Sequence, residues 1–196
     1  SEMIFPNAEQ KLIFNDKSQF KSGLFMFGLV KKDVSAYLKL NGKVYIETTL
    51  PVNYSNRNYD KSNKTIGIDL DHAYWRIAYL NGYISKSTYK KGLDKDIPKA
   101  IKLATLSCLG RSRSYDVYKA GVYSHTQSTE SNNELIDLYN NIRQMTYQVM
   151  NEISIKLGND FYCWKTDCIY FKDTKENRKI AKKIIKQANI GWKYEE

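Results

Sequence analysis

The sequence contains few of the residues that build metal clusters or disulfide frameworks. Its 196 residues include two histidines, three cysteines and three prolines. The cysteines, Cys108, Cys163 and Cys168, are odd in number and lack metal-ligand spacing, so they predict neither a disulfide scaffold nor, with so few histidines, a structural zinc site. We expect reduced cysteines that act as small buried side chains in an intracellular protein.

Long hydrophobic runs are also missing. No apolar stretch approaches the roughly 20 residues that cross a bilayer, and the N-terminal residues lack the pattern of a secretory signal. The sequence has no internal repeat, no Gly-rich phosphate loop and no nucleophile elbow. We therefore expect a soluble protein that does not act at a membrane and does not use the common loop motifs of nucleotide-binding or hydrolytic enzymes.

Positive charge is abundant. The chain has 31 Lys and Arg against 21 Asp and Glu, a net charge of +10. Residues 82–123 contain nine basic residues and three acids, and residues 172–196 contain eight basic residues and four acids. Such a surplus favours a polyanionic partner, with nucleic acid as the first candidate. The alternative is that these charges only form solvated helix faces.

The pattern of the first part of the chain indicates a structural scaffold rather than a functional site. The apolar run at 23–30 and the alternating segment at 43–50 resemble strands, and "VSAYLKLNG" between them predicts a short helix that ends at Gly42. Residues 53–64 are rich in Asn, Ser and Asp without periodicity, which predicts the least structured segment. We expect residues 1–64 to form a strand-rich segment packed on the same single domain as residues 65–196.

For the remainder of the chain we predict strands and helices in an irregular order. A β-branched strand runs into Asp69, followed by a helix that ends at Asn81-Gly82. Further helices are predicted over 94–110, with Asp96 as N-cap, over 134–158 and over 176–189, whereas residues 124–133 predict a loop. "FYCWKTDCIYF" (161–171) predicts a hairpin about Lys165-Thr166, and "IGWKYE" a closing strand. Because a hairpin between helices breaks a regular βαβα order, we predict an α+β fold, an antiparallel sheet with helices on one face.

Two acids in this pattern raise a chemical question. Asp69 ends one strand and Asp167 lies at the tip of the hairpin. Two-metal phosphoryl transfer needs carboxylates from separate strands to converge, and Mg²⁺ takes only one or two of them and completes its shell with phosphate and water. A cation for the triphosphate would complete such a site, and Lys102 on its helix is the natural candidate.

These segments resemble the palm of family B DNA polymerases. "DLDHAY" (69–74) resembles motif A, "KLATLSCLG" (102–110) resembles motif B and "KTDCIYF" (165–171) resembles motif C, in the family's order. The resemblance covers roughly residues 65–196 and implies a palm with a shortened fingers helix. It implies Mg²⁺ or Mn²⁺ as cofactor and dNTP with primer-template DNA as substrates.

Residue by residue, the resemblance implies specific roles. Asp69 and Asp167 match the catalytic metal ligands, and Leu70 would add its backbone carbonyl. Tyr74 matches the tyrosine that rejects ribonucleotides, and Lys102 matches the lysine that binds the triphosphate. Ser107 and Gly110 match the close-packed end of the same helix.

The sequence also departs from the family pattern. Lys165 stands where motif C has its first aspartate, which would weaken cation binding if the ammonium points inward. Leu106 and Leu109 replace the Asn and Tyr of motif B, and Trp75-Arg76 and Cys168 replace other polar residues. Only 27 residues separate Tyr74 from Lys102. We therefore expect a palm with shortened fingers and with neither an exonuclease domain nor a thumb.

Three functions follow as hypotheses. The first is a minimal or accessory DNA polymerase that works with a partner chain supplying thumb function, or with other replication proteins. The second is a palm-derived subunit that has lost synthesis and binds nucleic acid through its basic faces. The third is a nucleotide cyclase or oligonucleotide synthetase, which explains motif B less well. For nucleic-acid contacts we predict Lys95, Lys99, Arg111, Arg113 and Lys193.

Overall fold

The computed structural model describes residues 2–6, 17–47, 49–111, 113–129 and 131–195. The chain divides into two compact units, each built from two separate segments. The first unit comprises Ser1–Tyr45 and Gly82–Tyr139, and the second comprises Ile46–Asn81 and Asn140–Glu196. In the sequence, residues 82–139 of the first unit lie between the two segments of the second unit. The single domain with a segment boundary after residue 64 stays a prediction.

The second unit contains a five-stranded antiparallel sheet, which confirms the α+β class. In chain order its strands are β2 (Asn53–Ser55), β3 (Thr65–Leu70), β6 (Phe161–Lys165), β7 (Cys168–Lys172) and β8 (Trp192–Glu195). Their spatial order is β2-β6-β7-β3-β8, and every pairing is antiparallel. The helices of this unit are α2 (Ala73–Leu80), α6 (Lys175–Gln187) and the larger part of α5 (Asn133–Leu157), which a 3₁₀ turn (Gly158–Asp160) follows.

The connectivity of this unit follows the split β-α-β-β-α-β motif. Along the chain, the elements of this unit that follow β3 are α2 and the larger part of α5, the β6-β7 hairpin, α6 and finally β8. In the sheet the four strands lie in the order β6-β7-β3-β8. The alternation of residues along each strand gives the sheet two different faces. Ile68 and Leu70 of β3, Ile169 and Phe171 of β7 and Trp164 of β6 are buried on one face. Asp69, Lys165 and Lys193 lie on the other face, which is more exposed.

Local signals in the second unit were correctly predicted. The strand into Asp69, the helix that ends at Asn81, the hairpin and the closing strand are all present. Helix α5 ends at Leu157, and Gly158 follows with φ of 56°, a conformation that glycine adopts at low cost. Helix α6 buries Ala181, Ile184 and Ile185, as its apolar spacing predicts.

The first unit contains helices α1 (Lys17–Asn41), α3 (Lys86–Gly92) and α4 (Lys99–Ser107), and the start of α5. It also has a three-stranded antiparallel sheet in the order β1-β4-β5, made by Glu2–Pro6, Arg113–Lys119 and Val122–Thr129. The N-cap of α4 is Pro98, so the predicted cap at Asp96 was wrong. Asp96 instead lies in a turn where its N–H donates to the carboxylate of Asp94.

Four predictions from short segments were wrong. The apolar run 23–30 lies inside α1, where Met26 and Val30 are buried on one side. Residues 43–47, 49 and 50 have no strand, whereas the polar stretch 124–129 belongs to strand β5. Asn53–Ser55, assigned to the unstructured segment, pair with β6. A short apolar run does not distinguish a strand from a buried helix, and an exposed strand lacks the apolar alternation that would reveal it.

Helices long and apolar enough to cross a bilayer are absent from the described residues.

Candidate metal and nucleotide site

Asp69 and Asp167 lie at the same end of two adjacent strands. Asp69 is the penultimate residue of β3 and pairs with Cys168, the first residue of β7. The N–H of Leu70 donates to the carbonyl oxygen of Asp167 at 2.9 Å. The turn that carries Asp167 is thereby fixed to the end of the strand that carries Asp69.

Leu70 places its main chain toward the same turn. In an extended strand the N–H and C=O of one residue point to the same neighbouring strand. Because the N–H of Leu70 bonds to Asp167, its C=O also faces the hairpin, while the Leu70 side chain is fully buried on the opposite side from Asp69. The carbonyl predicted as a third oxygen ligand therefore lies on the side of β3 that faces Asp167.

Lys193 supplies a cation beside Asp69. The two residues are directly opposite on β8 and β3, and Nζ of Lys193 lies 3.8 Å from Oδ2 of Asp69. The side chain of Asp69 is 21% exposed and that of Lys193 is 68% exposed. An ion pair this open to water is weak, worth about 0–1 kcal/mol. A divalent cation at Asp69 would compete with this ammonium.

A hydrogen-bonded cluster lies next to Asp69 on the same sheet face. Glu195 of β8 accepts hydrogen bonds from the thiol of Cys168, at 2.8 Å, and from the hydroxyl of Tyr170. Burial, together with the hydrogen bond to Glu195, raises the pKa of Cys168 to about 12. These two hydrogen bonds lower the pKa of Glu195. Cys168 is therefore a neutral hydrogen-bond donor rather than a reactive thiolate.

Two residues with unusual backbone conformations flank the pair of acids. His72, the N-cap of α2, has φ 46° and ψ 45°, and Thr166 has φ 55°. Positive φ is uncommon for residues other than glycine and is unfavourable for a β-branched residue such as Thr166. Backbone strain of this kind occurs preferentially at functional sites, so its position here supports a functional interpretation of the two turns.

Tyr74 lies in the first turn of α2, and its side chain contacts α5. Its hydroxyl oxygen is 2.6 Å from that of Tyr147, which is fully buried and also accepts a hydrogen bond from Nε of Arg143. Trp75 and Arg76, which depart from the motif A pattern, have structural roles. Trp75 is buried in the core, and Nε of Arg76 donates to the carbonyl of Asn189, which follows α6. Tyr74 thus holds a defined position at the start of α2, four residues after β3 ends at Leu70.

Lys102 is buried within the first unit. It is only 4% exposed, and its ammonium donates to the carbonyl of Gly92 at 2.6 Å. Burial lowers its pKa, and the neighbouring charge of Lys99 lowers it further. The ammonium of the lysine that was predicted to bind the triphosphate is therefore hydrogen-bonded to the last residue of α3. The structure brings Asp69, Leu70, Asp167 and Lys193 together in the second unit, whereas Lys102 and Ser107 belong to the first.

The chain is closely packed at Gly110, just after α4 ends. Gly110 has φ of 72°, and a Cβ there would lie 2.5 Å from the carbonyl oxygen of Asn132. Ser107 donates its hydroxyl to the carbonyl of Ala104. Leu106 and Leu109, which replace polar residues of the motif, are buried. This part of the segment therefore has a structural role in the first unit.

The other basic residues occupy varied positions. Lys165 is exposed, with Nζ 5.9 Å from the ring centroid of Tyr170, so its ammonium contacts an aromatic face beside the acids. Lys95 lies in the turn before α4 rather than on its face, and Lys99 begins that helix. Both are exposed, as is Arg111. Arg113 begins β4, and its side chain lies outside the described part of the chain.

Sequence reasoning did not identify Tyr170 and Glu195 as neighbours of the site. Their roles depend on the register between β3, β7 and β8, which places Cys168, Asp69 and Lys193 in one row across the three strands. The alternation in "IGWKYE" could have indicated that Lys193 and Glu195 share a face. It could not have shown which strand lies beside them.

Within the described residues no group of three or more His, Cys, Asp or Glu side chains is placed to hold a metal ion. No family model, curated protein or solved structure matches this chain.

Proposed function

We propose that this protein has a nucleotidyltransferase centre of the DNA polymerase type at the ends of β3 and β7, with Asp69 and Asp167 as its metal ligands. The observation that carries this proposal is the hydrogen bond from Leu70 to Asp167, which fixes the two acid-bearing segments side by side. Residues almost 100 positions apart in the sequence thereby come to one end of the sheet, as the resemblance to motifs A and C predicts.

The donor set suits Mg²⁺ or Mn²⁺. Two carboxylates and one backbone carbonyl are hard oxygen ligands, and Mg²⁺ commonly uses one or two carboxylates with water and substrate phosphate. When bound, such ions would stabilise the charge on the attacking and leaving oxygens of the phosphoryl group. Asp69, Asp167 and the carbonyl of Leu70 would hold them, and Lys193 would release Asp69 when a metal ion binds.

The organisation of the chain supports the same function. Residues 82–139 interrupt the second unit between the strand with Asp69 and the hairpin with Asp167, and they carry the α4 segment that resembles motif B. In the polymerases that the motifs resemble, the fingers are inserted at this point of the sequence, between motif A and motif C. The exposed basic residues Lys95, Lys99 and Arg111 would bind phosphates of primer-template DNA.

Two observations favour a second candidate, a palm-derived subunit that binds nucleic acid without synthesis. Lys193 neutralises Asp69, and Lys102 is hydrogen-bonded inside the first unit instead of facing solvent. In this candidate the acids remain as structural residues and the net charge of +10 provides DNA affinity.

Single-nucleotide extension of a labelled primer-template distinguishes the two candidates. The protein is used in excess over DNA, so that the primer-template stays bound even without a thumb domain. Reactions with Mg²⁺ and with Mn²⁺ test which metal ion serves as cofactor. We expect Asp69→Ala and Asp167→Asn each to lower the rate at least about 100-fold, the order of effect seen when transition-state stabilisation is removed. Glu152→Gln, an exposed acid on α5, serves as control and should extend normally.

Binding of the same DNA, measured by fluorescence anisotropy at several salt concentrations, completes the test. If the wild type extends the primer and the two aspartate variants do not, the polymerase proposal stands. If the wild type binds DNA with a steep salt dependence but does not extend it, the second candidate is correct. Extension that persists in Asp167→Asn would remove Asp167 from the site.

A further inference from the structure

Strand β2 forms an edge of the sheet in the second unit. Among the described strands it pairs only with β6, and its three residues are exposed. The carbonyl of Val52 accepts from Thr166, and the N–H of Asn56 donates to Tyr162, both across to the β6 hairpin. Main-chain groups alternate in direction along an antiparallel strand, so those of Asn53 and Ser55 point away from β6. These groups are a template for another strand.

A cavity of about 470 Å³ adjoins this edge. Its aromatic residues are Tyr54, Phe161 and Trp164, and α5 contributes Asn151, Ser154 and Ile155. The ring of Tyr54 lies nearly parallel to that of Phe161, with their centroids 6.1 Å apart. Tyr54 is 50% exposed and Ile155 is 70% exposed, so large apolar surfaces remain open to water at the rim.

The charge of this region selects the class of ligand. Among the described residues that line the cavity none is charged, although the chain as a whole has a net charge of +10. A phosphate-bearing ligand would find no cation there. An uncharged apolar group is complementary to the aromatic residues and Ile155, and the neutral side chains at the rim impose no electrostatic penalty on it.

The edge and the cavity are geometrically related. Since the main chain of Tyr54 bonds toward β6, a residue of an added antiparallel strand opposite Tyr54 would form a pair without hydrogen bonds, in which the side chains are closest. Its side chain would project on the same face as Tyr54 and enter the cavity, while its neighbours would bond to Asn53 and Ser55. One peptide could therefore use the free edge and the cavity together.

We propose that the β2 edge binds an extended, uncharged segment of a partner protein, which adds a strand to the sheet and places one large apolar side chain in the cavity. This interaction surface is independent of the proposed metal site. The partner is defined by its chemistry, which is a run of β-forming residues with an aromatic or Leu side chain at its centre.

A panel of five peptides tests this surface. Each has the form acetyl-Thr-Val-Thr-X-Thr-Val-Thr-amide, with Phe, Leu, Ala, Asp or Lys at X, and binding is measured by calorimetry. We expect the Phe and Leu peptides to bind at least tenfold more tightly than the Asp and Lys peptides. Methylation of those backbone nitrogens of the Phe peptide that face β2 should abolish its binding, because they can then no longer donate hydrogen bonds to the strand.

Variants of the protein separate the two contributions. Asn53→Pro removes one outward N–H and should weaken the Phe peptide at least tenfold, because proline is tolerated at an edge strand but cannot donate. Asn53→Ala keeps the N–H and should bind normally. Ile155→Asp should weaken binding similarly, whereas Leu40→Asp, a change of the same type at another exposed aliphatic residue, should not. Circular dichroism verifies that each variant is folded.

Three results would overturn the proposal. The first is that none of the five peptides binds the wild type. The second is that acetyl-phenylalanine amide binds as well as the heptapeptide, which would show a cavity for small molecules without strand addition. The third is that sedimentation shows a dimer of this chain that Asn53→Pro dissociates, which would make a second copy the occupant. If Asn53→Pro does not fold, Ile155→Asp and the methylated peptides still decide the outcome.

Discussion

Gly67 faces Tyr170 across β3 and β7, and a Cβ at Gly67 would lie 2.9 Å from Cε1 of the tyrosine ring. The same Cβ would be 3.2 Å from Cβ of Glu195 on β8. The absence of a side chain at Gly67 therefore allows Tyr170 to lie across β3 and donate to Glu195. This contact links the three strands whose ends carry the candidate site.

Gly67→Ala should destabilise the protein by about 1–3 kcal/mol, because a methyl group forced into a filled space displaces its neighbours. Urea unfolding followed by circular dichroism measures the change. Gly28→Ala is the matched control, since a Cβ at Gly28 meets nothing within 4 Å and the residue lies in helix α1. That variant should gain about 0.5–1 kcal/mol. Equal effects of the two substitutions would contradict the packing argument.

Lys193→Met should strengthen Mn²⁺ binding roughly two- to fivefold, the range expected when a solvent-exposed ion pair no longer competes for the carboxylate. The reason is the 3.8 Å separation of Nζ from Oδ2 of Asp69. Calorimetric titration of Mn²⁺ into the free protein provides the measurement.

Lys186→Met is the control for loss of one positive charge, because Lys186 is an exposed residue in the last turn of α6. It should leave the Mn²⁺ affinity nearly unchanged. If Lys193→Met and Lys186→Met have the same affinity, the ammonium of Lys193 does not compete with metal. Loss of binding in Asp69→Ala would show that the titration reports on this site.

The elements around the site were predictable because their signals are local. Strand β3 and the hairpin have β-branched and aromatic residues with a turn between them, and Gly158 ends α5. The prediction that Asp69 at the end of β3 and Asp167 in the hairpin turn form one site came from the resemblance to the motifs. The row of Cys168, Asp69 and Lys193 was not predictable, because strand register depends on contacts between distant segments.

The first unit was predicted less well for two physical reasons. The run 23–30 is equally compatible with a buried strand and a helix, and only the continuous α1 through Asn41 resolves the choice. Strand β5 is exposed at every residue whose side chain is described, so no apolar alternation marks it. Lys102 was predicted to bind the triphosphate, and no local signal indicated its burial, which the hydrogen bond to Gly92 allows.

The buried thiol of Cys168 should make the protein less stable at alkaline pH. An unfolded cysteine ionises with a pKa near 9.0, but burial and Glu195 raise the pKa of Cys168 to about 12 in the folded state. Above pH 9 the unfolded state binds fewer protons than the folded state, so stability falls with rising pH between these two values. Below pH 9 this contribution is fully present.

Cys168→Ala removes this proton linkage and should flatten the fall in unfolding free energy between pH 9 and 11, measured by urea titration in reducing buffer. Burial also raises the pKa of Tyr83 to about 12, so part of the fall remains in the variant. Cys108→Ala, at a half-exposed thiol in the first unit, should keep the steep profile of the wild type. A profile for Cys168→Ala that matches the wild type would exclude this thiol as a cause.

Asp173 contacts two cations, Arg178 and Lys64, that differ in exposure to solvent. We therefore expect their removal to lower the free energy of unfolding by different amounts. Arg178 makes two hydrogen bonds to Asp173, at 2.6 and 2.9 Å, whereas Nζ of the exposed Lys64 lies 3.5 Å away. The carboxylate is 6% exposed, and the hydrogen bonds from Arg178 lower its pKa. Arg178→Met leaves this buried charge without its main partner, and should cost roughly 1.5–3 kcal/mol of unfolding free energy.

Lys64→Met should cost less than about 1 kcal/mol, because its ion pair is open to solvent. Urea unfolding at pH 7 compares the two variants. Since the pKa of Asp173 is lowered in the folded state, its stabilisation is present above the unfolded value of 3.8 and is lost as pH falls further. The difference between wild type and Arg178→Met should therefore shrink in acid. A constant difference from pH 7 to pH 2 would assign the effect to the contact of the Arg178 guanidinium with the ring of Tyr194 rather than to its ion pair with Asp173.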